Sequence, residues 1–66
     1  MSREGSIIDR FEVRPDAEGW TVWDRILDCV VIVDGYTLDE LPLYYAERFS
    51  DACNADELEP DRLTLH

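Results

Sequence analysis

The side chains able to do chemistry in this chain are overwhelmingly carboxylic: 16 Asp and Glu stand against 6 Arg, no Lys, one His and two Cys. The only histidine, His66, is the last residue, so a Ser-His-Asp or Cys-His relay has no positioned base. Without lysine there is neither a Schiff-base amine nor a phosphate clamp. Neighbouring acids such as Asp16 and Glu18, or Asp39 and Glu40, would need a shielded cleft to separate their pKa values before they could act as acid and base. In a chain with 16 acids such neighbours arise by chance. Asp24…Asp28 and Asp51…Asp56 lack the Gly-turned D-x-[DN]-x-[DN]-G loop that holds calcium. Cys29 and Cys53 have no CxxC spacing and no nearby His, which excludes zinc and thioredoxin patterns. Both are expected to be small buried apolar residues, with a strand-to-helix disulfide geometrically open. Gly5, Gly19 and Gly35 are isolated and form no phosphate loop. No catalytic residue, metal or cofactor is expected.

Sixty-six residues make one domain near the lower limit for a single apolar core, burying about 60% of the surface the unfolded chain exposes. The net charge of −10 repels nucleic-acid phosphates and anionic membranes, so a basic partner is the natural complement. No run approaches the roughly 18 apolar residues of a membrane span, and Met1 to Ser6 has no signal-peptide pattern. A cytoplasmic chain is expected, with a flexible N-terminus over 1–6, a single domain over 7–55 and an acidic C-terminal tail over 56–66.

The elements follow from periodicity. Ile7, Phe11 and Val13 alternate with Ile8, Arg10, Glu12 and Arg14, as in a half-buried strand. Pro15-Asp16-Ala17-Glu18-Gly19 is a turn, its glycine suited to positive φ, leading into a second strand at Trp20-Thr21-Val22-Trp23. Asp24 to Asp28 connects to an unbroken β-branched third strand, Cys29-Val30-Val31-Ile32-Val33, ended by Asp34-Gly35. The period then becomes helical over Leu38, Leu41, Tyr45, Phe49, Ala52 and Cys53. Asp39 is the preferred cap, because it places Pro42 in the first turn where no intrahelical bond is lost. The helix ends near Asn54, and Leu58, Leu63 and Leu65 are candidates to tack the tail onto the body. The predicted fold is α+β: a three-stranded antiparallel sheet, β-β-β-α, with one helix on one face. The alternative is a β-β-α core whose third strand pairs with a second copy.

Charge is unevenly placed. Residues 1–33 hold 7 acids and 4 Arg, while residues 34–66 hold 9 acids and 2 Arg. On an ideal wheel Glu40, Glu47 and Asp51 lie within about 40° of one another, spanning roughly 16 Å and facing away from the apolar stripe. Such a row gains nothing from i,i+4 pairing. It is either a solvated face or a surface that imitates the charge of a duplex, which presents about one negative charge per 1.7 Å of axis. The lysine-free balance and the row Glu40, Glu47, Asp51, continued by Asp56-Glu57-Leu58-Glu59, resemble the small acidic inhibitors of phages and mobile elements, anti-CRISPR and anti-restriction proteins among them. The resemblance implies a DNA mimic that blocks the nucleic-acid-binding surface of a defence or other nucleic-acid-binding complex.

Two aromatics bear on contact. Trp20 and Val22 alternate with Thr21, Trp23 and Arg25, so if the first pair faces the helix Trp23 points away from it, either exposed beside Arg25 as a contact residue or covered as a small second core. Tyr44 lies beside the acidic row. The leading expectation is a non-enzymatic interaction protein that offers Glu40, Glu47, Asp51, Asp56, Glu57, Tyr44 and Trp23 to a basic, nucleic-acid-binding partner. The alternative is a small protein-binding module or homodimer that uses Trp23 and a sheet edge without mimicry.

Overall fold

The computed structural model describes residues 9–61. The first two strands, β1 (Phe11–Pro15) and β2 (Trp20–Asp24), pair antiparallel with Phe11 opposite Asp24 and Pro15 opposite Trp20. Alternation sends Phe11, Val13 and Val22 to the core, leaving Glu12 and Arg14 on the other face. In the connecting turn Asp16 donates its N–H to the Gly19 carbonyl and accepts the N–H groups of Glu18 and Gly19 on its own carboxylate. Gly19 does not take the expected positive φ; among the described glycines only Gly35 does, at 82°. Gly19 is required for a different reason, because a Cβ there would lie 2.7 Å from the Leu41 carbonyl oxygen.

The third strand is not the unbroken run expected. Only β3 (Cys29–Val30) pairs with β2, Trp23 facing Val30 and Asp24 facing Cys29. The chain then leaves the sheet, and β4 (Ile32–Val33) pairs with β5 (Tyr36–Thr37) through Asp34 and Gly35. Both central residues have positive φ, 52° and 82°, as a type I′ hairpin turn demands. At the point of departure Val31 N–H donates to Val22 O, Val22 N–H to Leu38 O, and Leu38 N–H to Val31 O. Beyond this closed ring, Trp20 and Leu41 exchange N–H···O bonds of 2.9 and 3.0 Å, so residues 38–41 continue along the β2 edge that β3 began.

That pairing also moves the helix start. Residues 38–41 are committed to β2 and cannot be helical, and Glu40 has φ +54°. The helix α1 therefore runs Leu43–Asn54 with Pro42, not Asp39, at its N-cap, and Pro42 is extended at φ −59° and ψ 146°. Leu38 and Leu41 reach the core from extended backbone, while the buried helix face is Ala46, Ser50 and Cys53 with Phe49 beside it; Tyr45 is exposed. The helix ends at Asn54 as expected, but Asp56, not Asn54, takes the left-handed position, at φ 61°. Its N–H bonds Cys53 O and the next N–H, of Glu57, bonds Ala52 O, the double closure of a Schellman motif.

The core is Phe11, Val22, Val31, Leu38, Ala46 and Cys53, ringed by Val13, Trp20, Val33, Leu41, Phe49 and Leu58. Cys29 and Cys53 are both free, and only Cys53 is fully buried. Among the described residues the architecture is small α+β: a three-stranded antiparallel sheet in the order β1-β2-β3, a two-stranded offshoot and one helix.

Substituting Gly19→Ala should destabilise the fold by about 1–3 kcal/mol, since the atoms that must yield are backbone. A urea or thermal melt reads this directly, and an unchanged midpoint would contradict the close approach of the turn to Leu41.

Candidate functional site

Two groups of carboxylates stand out among the described residues. One set holds the chain together. Asp24 is 2% exposed and accepts Arg10 Nε at 3.0 Å and Nη2 at 2.8 Å, along with the N–H groups of Ile26 and Leu27. Burial pushes its carboxyl up, but the Arg10 hydrogen bonds and the Leu27 and Ile26 amides outweigh burial and leave the pKa lowered. Asp16 accepts the Thr21 hydroxyl and the Glu40 N–H on one oxygen and the amides of its own turn on the other. The Thr21 hydroxyl and the Glu40 amide bring its pKa from 3.8 to about 2. Asp61 receives Asp34 N–H and Gly35 N–H at 2.9 and 2.8 Å and donates its own N–H to Ile32 O. Glu12 pairs with Arg14 and, at 3.7 Å, with Arg25. Three of the four described arginines are thus paired with acids of the first two strands.

The other set faces outward. Residues 43–61 contain Glu47, Asp51, Asp56, Glu57, Glu59 and Asp61 against Arg48 alone. All six are exposed; Asp61 belongs with the fold-holding acids through its two side-chain hydrogen bonds, and the other five make none among the described residues. Glu47 and Asp51 are one turn apart on α1. Glu40 does not join them, being off the helix with its amide tied to Asp16, so the three-membered row is broken at that end. Asp56 and Glu57 lie on the Schellman turn, not on a loose tail: Leu58 packs against the core and Asp61 fastens the segment to the β4–β5 turn. Leu63, Leu65, His66 and the expected flexible N-terminus lie outside the described residues.

Tyr44 is exposed, meets Tyr45 edge-on with ring centroids 5.4 Å apart, and receives Arg48 Nη1 on its hydroxyl at 3.3 Å. The Arg48 guanidinium also lies 5.6 Å from the Tyr44 ring centroid. Trp23 faces away from the helix as expected but is half-buried: Arg14 stacks 4.5 Å over its ring and its buried Nε1 has no partner. The sheet edge is blunted too. Arg10 and Gly19 carbonyls bond the N–H groups of Arg25 and Asp16, which fixes the alternation so that Phe11, Val13 and Pro15 turn their polar groups outward along β1. The Asn54 amide takes both the Phe11 N–H and C=O, Ser50 adds to the latter, and Pro15 has no N–H.

Sequence reasoning missed the surroundings of Asp51. A hollow of about 380 Å³ is lined by Arg48, Asp51, Ala52, Ala55 and Glu57. The signal was available: positions 48, 51, 52 and 55 share one helix face at i, i+3, i+4, i+7. A second hollow of about 420 Å³ runs from Arg10 and Cys53 to Pro60. Burial pushes the Cys53 thiol up, so it is held protonated there. Among the described residues no group of three or more His, Cys, Asp or Glu is arranged to hold a metal, and no helix is long and apolar enough to cross a membrane. No protein-family model, curated protein or solved structure matches the chain.

Two measurements test the fold-holding set. Asp24→Ala should cost about 2–4 kcal/mol, because it strands the Ile26 and Leu27 amides and the Arg10 fork; a loss under about 0.5 kcal/mol contradicts the clamp. Asp16 has a depressed folded pKa, so its contribution is fully present above its ordinary 3.8 and is lost as the pH falls through about 2. Urea midpoints between pH 5 and pH 2 should fall less steeply for Asp16→Asn, from a lower start, and parallel curves would contradict the role given to that carboxylate.

Proposed function

We propose that this chain is a non-enzymatic interaction protein whose acidic helix and post-helix turn occupy a basic surface on a nucleic-acid-binding protein or complex, as a DNA mimic. The observation that carries the reading is the division of charge. Glu12, Asp16 and Asp24 are paired with arginines, a hydroxyl or backbone amides, and Glu18 and Asp28 stand unpaired one to a turn, whereas Glu47, Asp51, Asp56, Glu57 and Glu59 project together from one continuous helix and turn with no ion-pair partner among the described residues. Like charges held side by side raise the local potential that attracts and steers a cationic groove. The Schellman turn and the Asp61 clamp support the reading further, because a rigid array does not have to be ordered when it binds. Glu40 contributes only at a distance. In this reading the chain acts in the cytoplasm and inhibits by excluding the real nucleic acid. The module that would use Trp23 and a sheet edge draws less support, since Arg14 covers Trp23 and Asn54 and Pro15 blunt β1.

The test is competition. Immobilised protein should retain basic nucleic-acid-binding proteins from a bacterial lysate at low salt, and a short DNA duplex should displace them. Retention should fall at least about tenfold on moderate salt addition and in the variant E47Q/D51N/E57Q. Capture that DNA does not displace, or that survives the triple variant and disappears in Trp23→Ala, would overturn mimicry.

A further inference from the structure

Asp34 is the one aspartate of the chain that glycine follows. The pair forms the tip of the β4–β5 hairpin, at φ 52° and 82°, and both residues are exposed. An aspartate before glycine is the pairing in which a side-chain carboxyl is most open to attack by the next backbone nitrogen, because glycine has no Cβ to crowd that nitrogen. The surroundings add no obstacle. A Cβ built at Gly35 would meet nothing within 4 Å, and the Asp34 carboxylate makes no hydrogen bond or ion pair among the described residues. What opposes reaction is Asp61. Its two carboxylate oxygens accept the Asp34 N–H at 2.9 Å and the Gly35 N–H at 2.8 Å, and its own N–H is given to Ile32 O at 2.7 Å.

We propose that Asp34-Gly35 is a latent modification site, where aspartate converts to isoaspartate through a cyclic imide, and that Asp61 holds the site shut. This goes beyond the function proposed above and does not rest on it. In the first step the Gly35 nitrogen gives up its proton and bonds Asp34 Cγ, and the carboxyl hydroxyl leaves with that proton as water. Water then reopens the ring. Attack at Cγ restores aspartate, whereas attack at the main-chain carbonyl of Asp34 leaves the chain running through Cγ, which is isoaspartate. Nothing is oxidised or reduced, and the only co-reactant is water. Asp61 opposes ring closure in two ways. One carboxylate bridging consecutive amides fixes the torsion between them, which must turn before the nitrogen can face Cγ. The same carboxylate stabilises the N–H that has to be lost, and its charge repels the amide anion that the loss creates. Conversion inserts a methylene into a two-residue turn whose geometry does not accommodate it. The amides of residues 34 and 35 then no longer converge on Asp61, and the segment from Leu58 to Asp61 loses its fastening at the hairpin.

The experiment ages the full-length protein in neutral buffer at physiological temperature. Residue 34 is followed in the tryptic peptide Ile26–Arg48, with electron-transfer fragmentation in the mass spectrometer separating isoaspartate from aspartate. Native wild type should accumulate isoaspartate at least about tenfold more slowly than the same chain unfolded in urea, since two charge-assisted bonds must break before the ring closes. D61A, checked as folded by circular dichroism, should lose most of that protection when native and react like wild type in urea. If D61A does not fold, D61N takes its place; it keeps the side-chain shape and one acceptor oxygen, and should react at a rate between native and unfolded wild type. Isoaspartate forming at residue 34 as fast in native as in unfolded wild type, folded Asp61 variants that stay as slow as wild type, or no isoaspartate at residue 34 even in the unfolded chain would overturn the proposal.

Discussion

Three backbone hydrogen bonds, linking Val22, Val31 and Leu38 in a closed ring, are the constraint on which the rest of this small structure depends. The same three residues carry core side chains, at 0, 2 and 7% exposure, so the ring is shielded from water on the side where its bonds are worth most. It sits where one strand leaves the sheet and another segment takes its place beside β2. If it is opened, the β4–β5 hairpin loses its base, residues 38–41 lose their register on β2, and Pro42 no longer delivers α1 to the sheet.

A core with six buried apolar residues among those described leaves little surplus stability in a chain of this size. Side-chain clamps stabilise the corners that the core does not reach. Asp16 ties the β1–β2 turn to Glu40, Asp24 fills the β2–β3 turn and grips Arg10, Asp61 holds the hairpin tip, and Asn54 fastens the helix end to Phe11. Three of the four are carboxylates, so part of the acidity is structural. The acidity of α1 and the turn beyond it, Asp61 apart, makes no side-chain hydrogen bond or ion pair among the described residues and repels itself. Retaining it is understandable if a cationic surface elsewhere supplies the counter-charge.

The parts of the fold that follow from local periodicity were legible in the sequence: the alternation of Phe11 and Val13, the turn after Pro15, the outward direction of Trp23 and the helix end at Asn54. The composite third strand was not, because an unbroken run of β-branched residues carries no mark of the place where its pairing partner changes. The one available mark was Asp34-Gly35, a hairpin dipeptide that also reads as a simple strand end. The helix start was misplaced for a related reason: Leu38 and Leu41 fit a helical stripe, and only the long-range bond of Leu41 to Trp20 makes them extended. Glu40 left the acidic row by the same mechanism. Asp51 and Glu57 come together only through the Schellman turn, which the sequence announced as a helix end without giving its geometry. Four acids, Asp28, Asp34, Glu40 and Asp56, stand at positive φ where glycine or asparagine is more usual, so acid placement alone could not separate turn chemistry from surface function.

The central claim is that the carboxylates which hold the fold, Asp16, Asp24 and Asp61, are distinct from Glu47, Asp51 and Glu57, which the proposed function assigns to a partner's surface. The most direct measurement is equilibrium urea unfolding, at neutral pH and low salt, of two variants matched in charge change: D16N/D24N/D61N and E47Q/D51N/E57Q. The account predicts that the first loses several kcal/mol or fails to fold, whereas the second matches or exceeds the native protein because self-repulsion is relieved. Equal destabilisation of both variants, or a stable first and an unstable second, would contradict it.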